Sequence, residues 1–158
     1  MSETDTDTPF STVMLSAGHA AQTLPLAQVT WPDLDLAHWR KFIQSFTARA
    51  ASPLSGILAL RDANDYFSAM LAFRAEPDVR QGRVLTVQLF TAVGLANSPI
   101  LVERLLAAAE AKARYLGCSS VEIRLYRAQS NLAIQLRSFG LVETAAIVSR
   151  PVEFPASA

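Results

Sequence analysis

The fold is decided by residues 98–117, which read SPILVERLLAAAEAKARYLG. Its apolar residues recur at intervals of three and four, as on one face of an α-helix. They are Val102, Leu105, Leu106, Ala109, Ala113 and Leu116. Ser98 is a good N-cap, and Pro99 suits the first helical position, where a missing N–H loses no partner. Gly117 favours a C-terminal stop. The stretch therefore predicts a long helix with one buried face.

Strand-like runs lie on both sides of this helix. In residues 83–93, apolar side chains occupy both faces: Val84, Phe90 and Ala92 on one, Leu85, Val87 and Leu89 on the other. Apolar residues on both faces predict a central strand. Residues 121–126 alternate apolar and polar, which predicts a half-exposed strand.

The remaining segments extend this alternation of strands and helices. The sequence predicts a first strand over residues 24–29, a helix from 36 to about 50, strands over 56–60 and 66–73, a loop over 76–82, a helix over 131–139 with Asn131 as N-cap, and a last strand over 141–152. Residues 1–22 are expected to be a flexible segment, residues 23–152 the folded domain, and residues 153–158 a tail.

Composition excludes several classes of protein. Of the 158 residues, 51% are apolar and 18% charged, which argues against a disordered chain. The 14 basic residues are scattered and the net charge is zero, so neither a nucleic-acid footprint nor a membrane-binding patch is indicated. The start of the chain lacks the pattern of a signal peptide, and no apolar run is long enough for a membrane span. Together with a single cysteine, Cys118, this predicts a cytoplasmic protein.

Two stretches resemble the GNAT superfamily of N-acetyltransferases. Residues 105–118, LLAAAEAKARYLGC, are similar to the central helix of that family and the turn after it. Residues 136–143, LRSFGLVE, are similar to its closing stretch, usually Leu-Tyr-x-x-x-Gly-Phe. With the order of elements, the resemblance covers residues 23–152. It implies an α/β (α+β) fold with a mixed, mostly antiparallel sheet and helices on both faces. It also implies that the strands over 83–93 and 121–126 are neighbours that splay apart at one end.

The resemblance also implies acyl-CoA as cofactor, held by a loop before the central helix. The family motif is Gln/Arg-x-x-Gly-x-Gly/Ala, whose backbone N–H groups hold the pyrophosphate. This position is occupied here by Val93, Gly94, Asn97, Ser98, Ile100, Leu101 and Val102. Asn97 replaces the basic residue, Pro99 removes a donor, and branched side chains replace glycines. Acyl-CoA binding is therefore expected to be weak or absent.

The catalytic residues of the family have weak counterparts. Gln88 stands on the central strand, where many members carry a carboxylate base, and an amide cannot accept the proton. Glu76 is the other weak candidate, as an acid near the expected cleft. Leu136 occupies the place of the family's tyrosine acid. His19 and His38 are too isolated to indicate a metal site.

Three functions stay open. The chain is an acyl-CoA-dependent N-acyltransferase with a divergent loop, a binding module that has kept the fold without catalysis, or a self-associating domain. The apolar composition predicts a homodimer.

Overall fold

The computed structural model describes residues 10–47, 54–93 and 99–156. Five strands and four α-helices follow one another in this part of the chain: β1 (Phe10–Met14), α1 (Ala20–Gln28), α2 (Leu36–Thr47), β2 (Ser55–Asp62), β3 (Phe67–Asp78), β4 (Gly82–Ala92), α3 (Pro99–Tyr115), β5 (Ser120–Ile123) and α4 (Ser130–Ser138). No helix of this described part is long and apolar enough to cross a membrane.

The strands form one mixed sheet in the order β1-β2-β3-β4-β5. Neighbours from β1 to β4 are antiparallel, and β5 runs parallel to β4. The expected mixed, mostly antiparallel sheet is confirmed. So is the central position of β4, which has β3 on one side and β5 on the other.

Helices cover both faces of the sheet, as predicted. On one face, α3 and α4 pack on a cluster that includes Phe73, Leu85 and Phe90. On the other, α1 and α2 pack on Ile57, Met70 and Leu89, with Trp39 from α2 only 2% exposed. The indole Nε1–H of Trp39 donates to Thr23 Oγ1 at 2.9 Å, so its polar atom is paired inside the core.

Helix α3 confirms the prediction from residues 98–117. All six residues of the expected stripe are buried, from 0% exposure at Leu105 to 8% at Leu116. The helix is followed by Gly117 at φ +71°, a conformation that residues with a Cβ rarely adopt. The expected N-cap, Ser98, lies outside the described residues.

The first predicted strand is wrong. Residues 24–28 lie in α1, where Ala20, Thr23, Leu26 and Ala27 are buried at helical spacing despite Pro25. A short apolar run fits a strand and a buried helix equally well, and packing decided between them. The segment expected to be flexible also includes β1, which pairs with β2 from Phe10 opposite Asp62 to Met14 opposite Leu58.

The last predicted strand is also wrong. Residues 141–156 form no regular secondary structure, and all except Leu141 are exposed. Smaller differences concern element ends. Strand β3 continues to Asp78, where a loop was expected, β5 ends at Ile123, and the N-cap of α4 is Gln129 rather than Asn131.

Candidate functional site

The two parallel strands separate at their carboxyl ends. Strand β5 pairs with β4 from Ser120 opposite Val84 to Ile123 opposite Val87, and β4 continues for five residues beyond that point, to Ala92. The Arg124 N–H donates to the Val87 carbonyl at 2.9 Å, the last bond between the two segments. The predicted neighbouring position and the separation at one end are both present. Helix α3 begins just beyond this end of β4, and ligands of α/β sheets commonly bind where parallel strands end.

A β-bulge at Gln88 explains the separation. In the pairing with β3, Leu89 lies opposite Ala72 and Val87 opposite Phe73, so Gln88 is an extra residue on β4. A bulge bends its strand and increases the local twist, which turns the end of β4 away from β5.

The bulge also corrects the assignment of side chains to the two faces of β4. Beyond Gln88 the alternation shifts by one, so Phe90 and Ala92 lie in the same cluster as Leu85 and Val87. Leu89 lies in the opposite cluster. The sequence alternation had placed Phe90 with Val84.

Gln129 occupies the gap between the separated strands. Its side chain is 6% exposed, and its Nε2 donates to the carbonyl oxygen of Phe90 on β4 at 2.7 Å. Its Oε1 accepts the backbone N–H of Tyr126 at 3.2 Å. The amide therefore takes the place of a neighbouring strand on this part of β4. Sequence reasoning missed Gln129, because a glutamine in a short connection carries no local signal of burial.

Two aromatic rings form a wall of the gap. Trp31, from the connection between α1 and α2, meets Tyr126 edge to face with ring centroids 5.0 Å apart. Behind them, Thr30 Oγ1 donates to Thr91 Oγ1 at 3.4 Å. Tyr126 keeps 38% of its surface exposed, so the wall is open to solvent. Trp31 therefore packs against the α1–α2 side and also borders the gap.

The start of α3 supplies backbone donors at the same end of the sheet. Pro99 is the first helical residue and has no N–H, so the N–H groups of Ile100 and Leu101 are those the helix leaves without intrahelical partners. The Ile100 side chain is 58% exposed at this end. Val102 is fully buried and Leu101 is 7% exposed, so neither side chain obstructs a ligand there. The burial of Val102 agrees with its place on the predicted buried stripe of this helix.

Of the other residues expected in the cofactor loop, only Val93 lies within the described part of the chain. Val93 follows β4, is 40% exposed, and donates its N–H to the Ser68 carbonyl at 2.9 Å. Gly94, Asn97 and Ser98 lie outside the described residues.

The two catalytic candidates do not lie together. Gln88 is half-buried at the bulge, at the mouth of the gap. Glu76 lies opposite Val84, five β3 residues away from Leu71, the partner of Phe90, a separation of roughly 17 Å at strand spacing. Its Oε2 accepts the Thr86 hydroxyl at 3.0 Å. Glu76 is therefore not near the gap, and Leu136 is buried in the core at 2% exposure.

Cys118 lies away from the gap, at the start of β5. Burial raises the pKa of its thiol, with the Arg83 guanidinium acting weakly in the opposite direction. A thiol protonated at neutral pH is a poor nucleophile, in keeping with a packing role. Within the described ranges, no three His, Cys, Asp or Glu side chains are grouped as metal ligands.

Comparison with solved structures identifies the fold. The chain superimposes on aminoglycoside 6'-N-acetyltransferase AAC(6')-Ih from Acinetobacter baumannii with a TM-score of 0.74 and 14% identity, over 92% of this chain and 99% of that one. Aminoglycoside N-acetyltransferase AAC(6')-Iy in complex with CoA gives 0.74 and 11%, over 92% and 95%. Glucosamine-6-phosphate N-acetyltransferase from Arabidopsis thaliana gives 0.69 and 11%, over 91% and 99%. No protein-family model and no curated protein matches the sequence.

The chain therefore has the fold of the GNAT N-acetyltransferases, which confirms the resemblance at the level of fold. The identities are too low to carry more than the fold across.

Proposed function

We propose that this chain transfers an acyl group from acyl-CoA to an amine in the gap between β4 and β5. The observation that carries the proposal is the bulge at Gln88, which opens the two parallel strands at the end where α3 begins. The fold is shared with acetyltransferases, one of which is solved with CoA. The open strand edge, a helix N-terminus and an aromatic wall lie around one gap.

The residues at the start of α3 fit a phosphate group in part. The N–H groups of Ile100 and Leu101 are free of intrahelical bonds, and the helix dipole favours negative charge there. Pro99 contributes no donor, and the exposed Ile100 side chain narrows the approach. These residues would hold the cofactor's phosphates, and acyl-CoA would supply the acyl group activated as a thioester.

The backbone of β4 beyond the bulge offers hydrogen-bonding groups to an extended ligand that contains amides. The Phe90 carbonyl accepts a hydrogen bond from Gln129 in the gap, so an extended ligand with its own N–H could replace that side chain. Trp31 and Tyr126 would orient the amine acceptor beside it.

Side-chain chemistry in the gap is limited. The side chains that border it within the described chain are Thr30, Trp31, Gln88, Thr91, Tyr126 and Gln129. Of this group only Tyr126 can ionise, and none is a carboxylate. Water would therefore take the proton of the amine, and the rate would come chiefly from holding amine and thioester together.

The weak step of this function is cofactor affinity. One charge-assisted hydrogen bond contributes about 1.5–3 kcal/mol, so the donor missing at Pro99 lowers affinity by roughly one to two orders of magnitude. Because Val102 faces the core, its branched side chain does not lower the affinity further.

The test is a thiol-release assay with acyl-CoAs from acetyl to long-chain at millimolar concentration and a panel of small and peptide amines. We expect amine-dependent release of CoA thiol and an acylated amine in the mass spectrum. Ile100→Gly should raise the rate at subsaturating acyl-CoA. Ile134→Gly, a control at another exposed isoleucine on α4, should leave the rate unchanged apart from any loss of folded protein. Absence of amine-dependent release from both the natural chain and Ile100→Gly would refute the proposal.

A second candidate function is a non-catalytic binding module with the same fold. The observation in its favour is that Gln129 already satisfies the Phe90 carbonyl inside the gap. A binding module of this kind predicts that acyl-CoA does not displace Gln129 from the Phe90 carbonyl and does not bind. Titration with acyl-CoAs therefore distinguishes the binding module from the acyltransferase.

A further inference from the structure

The wall of the gap formed by Trp31 and Tyr126 is suited to a flat aromatic ligand. The two rings meet edge to face with centroids 5.0 Å apart, and Tyr126 keeps 38% of its surface exposed. An edge-to-face contact uses one face of only one of the two rings, so further ring faces remain for a ligand. Aromatic rings pack on such faces with a defined geometry that an aliphatic chain lacks.

The polar groups that border the gap are uncharged. Gln88 is half-buried at the bulge, and its side-chain amide forms no hydrogen bond with any residue of the described ranges. The hydroxyls of Thr30 and Thr91 and the amide of Gln129 complete this set. Amides and hydroxyls form hydrogen bonds with an uncharged amine, but they do not neutralise an ammonium, whose removal from water without a counter-charge is costly. The set therefore favours an amine that is uncharged before it binds.

The carboxylate of β5 lies away from this part of the gap. Glu122 is opposite Thr86, where β4 and β5 are still paired. Thr86 and Phe90 are three residue pairs apart in the register with β3, roughly 10 Å along the sheet. Residues 94–98, between β4 and α3, contain no ionisable side chain. At this distance Glu122 does not contact a group bound beside Phe90.

Two arginines flank Tyr126 in the chain. The N–H of Arg124 makes the last bond to β4, and Arg127 begins the short turn that leads to α4. Both side chains are exposed, and neither forms a salt bridge with another described residue. Cations at this rim repel an ammonium and attract an anion.

We propose that the acceptor is an aromatic amine that is uncharged at neutral pH and carries a carboxylate, a compound of the aminobenzoate class. This inference rests on the proposed acyl transfer and names its substrate class. The ring packs on Trp31 and Tyr126, and the amine donates to Oε1 of Gln88. The carboxylate lies towards Arg124 and Arg127.

An amine of this class reacts without a base on the protein. Its nitrogen attacks the thioester carbonyl, a C–N bond forms, the C–S bond breaks, and the CoA thiolate leaves. Water takes the proton that the nitrogen loses, and the thiolate takes up a proton from water. A lysine-like amine, with a pKa of about 10.4, is uncharged in only about one molecule in 2,500 at pH 7, so an alkylamine should react slowly in this gap.

The first test compares four acceptors at pH 7 and one millimolar concentration of acetyl-CoA, with the acylated amine measured by mass spectrometry. The amine is uncharged in 4-aminobenzoate and aniline, and it is charged in their matched controls, 4-(aminomethyl)benzoate and benzylamine. We expect 4-aminobenzoate to react about two- to fivefold faster than aniline, as for one exposed ion pair, and both charged amines to react at least about tenfold more slowly than aniline. Raising the pH to 9 should increase the rate with the charged amines about tenfold per pH unit and leave the rate with aniline level.

A second test locates the aromatic ring of the acceptor. Trp31→Leu should raise the KM for 4-aminobenzoate roughly two- to twelvefold, as expected for one lost aromatic contact. The KM does not depend on the amount of folded protein. Tyr66→Leu, at a tyrosine that is 71% exposed outside the gap, is the control and should leave this KM unchanged.

A third test changes the charges at the gap. Gln88→Glu supplies a partner for an ammonium and should raise the rate with benzylamine relative to aniline, whereas Gln44→Glu at an exposed position of α2 should not. The double variant Arg124→Gln/Arg127→Gln should remove the preference for 4-aminobenzoate over aniline. The control Arg80→Gln, at an exposed arginine between β3 and β4, should keep this preference.

The outcomes separate this inference from the proposed function. No acylation of any amine, by the natural chain and by Ile100→Gly, would refute acyl transfer and the acceptor class together. Acylation in which the charged amines equal or exceed aniline would leave acyl transfer in place and overturn the acceptor class. An unchanged KM in Trp31→Leu, or an unchanged preference for 4-aminobenzoate in the double arginine variant, would overturn the placement of the acceptor.

Discussion

Replacement of Gln129 by alanine tests whether this side chain maintains the gap. The change removes the bond from Nε2 to the Phe90 carbonyl, 2.7 Å, and the bond from the Tyr126 N–H to Oε1, 3.2 Å. The Phe90 carbonyl is then left without this partner in a site where Gln129 is 6% exposed. An unsatisfied buried polar group costs about 1–3 kcal/mol, so Gln129→Ala should lower the free energy of unfolding by that amount.

In a domain of 158 residues, each kcal/mol shifts the melting temperature by about 2–4 °C, so the expected decrease is roughly 2–12 °C. Circular dichroism on heating and in urea measures it. Gln44→Ala, at an exposed glutamine of α2, is the matched control and should change stability by less than about 0.5 kcal/mol. If Gln129→Ala is as stable as Gln44→Ala, Gln129 does not bridge the strands in solution and the description of the gap is wrong.

Two further predictions concern the helices that frame the sheet. Leu105→Ala should lower the free energy of unfolding in urea by about 2–5 kcal/mol, because Leu105 is fully buried on the inner face of α3. The control, Glu103→Ala at an exposed position of the same helix, should change stability little. Equal effects of the two changes would contradict the assigned buried face. Asp35 accepts the backbone N–H and the ring Nδ1 of His38, both at 2.8 Å, and the backbone bond chiefly lowers its pKa below the ordinary 3.8. Its contribution to stability is therefore present above pH 3.8 and lost as pH falls through the lower folded value, so Asp35→Ala should lower the melting temperature more at pH 6 than at pH 2. An unchanged difference at the two pH values would contradict this.

The parts of the fold that follow from local pattern were predictable from the sequence. Helix α3 was predictable because its stripe, cap residues and stop lie within 20 consecutive residues. Strand β4 was predictable because both of its faces are apolar. The α1 segment was not, since six residues around Pro25 do not reveal a period, and only burial of Leu26 and Ala27 shows the helix.

The candidate site was less predictable because it depends on distant contacts. The bulge at Gln88 exists only in the register with β3, which the sequence of β4 alone does not contain. Gln129 bonds to a residue 39 positions away. Helix α3 and the burial of Val102 on its stripe could be predicted, but the position of its start beside the gap could not, because this position depends on the packing of α3 against the sheet.

The most direct test of the account is calorimetric titration of acetyl-CoA and a long-chain acyl-CoA into three proteins. These are the natural chain, a Pro99→Ala/Ile100→Gly variant, and Ile134→Gly as control. The natural chain should bind weakly, so that millimolar acetyl-CoA also leaves its melting temperature nearly unchanged. The double variant restores one backbone donor and removes the exposed side chain, and it should bind at least about tenfold more tightly, while the control should not. Absence of binding in all three, or equal affinity of the double variant and the natural chain, would contradict the claim that acyl-CoA is held at the start of α3.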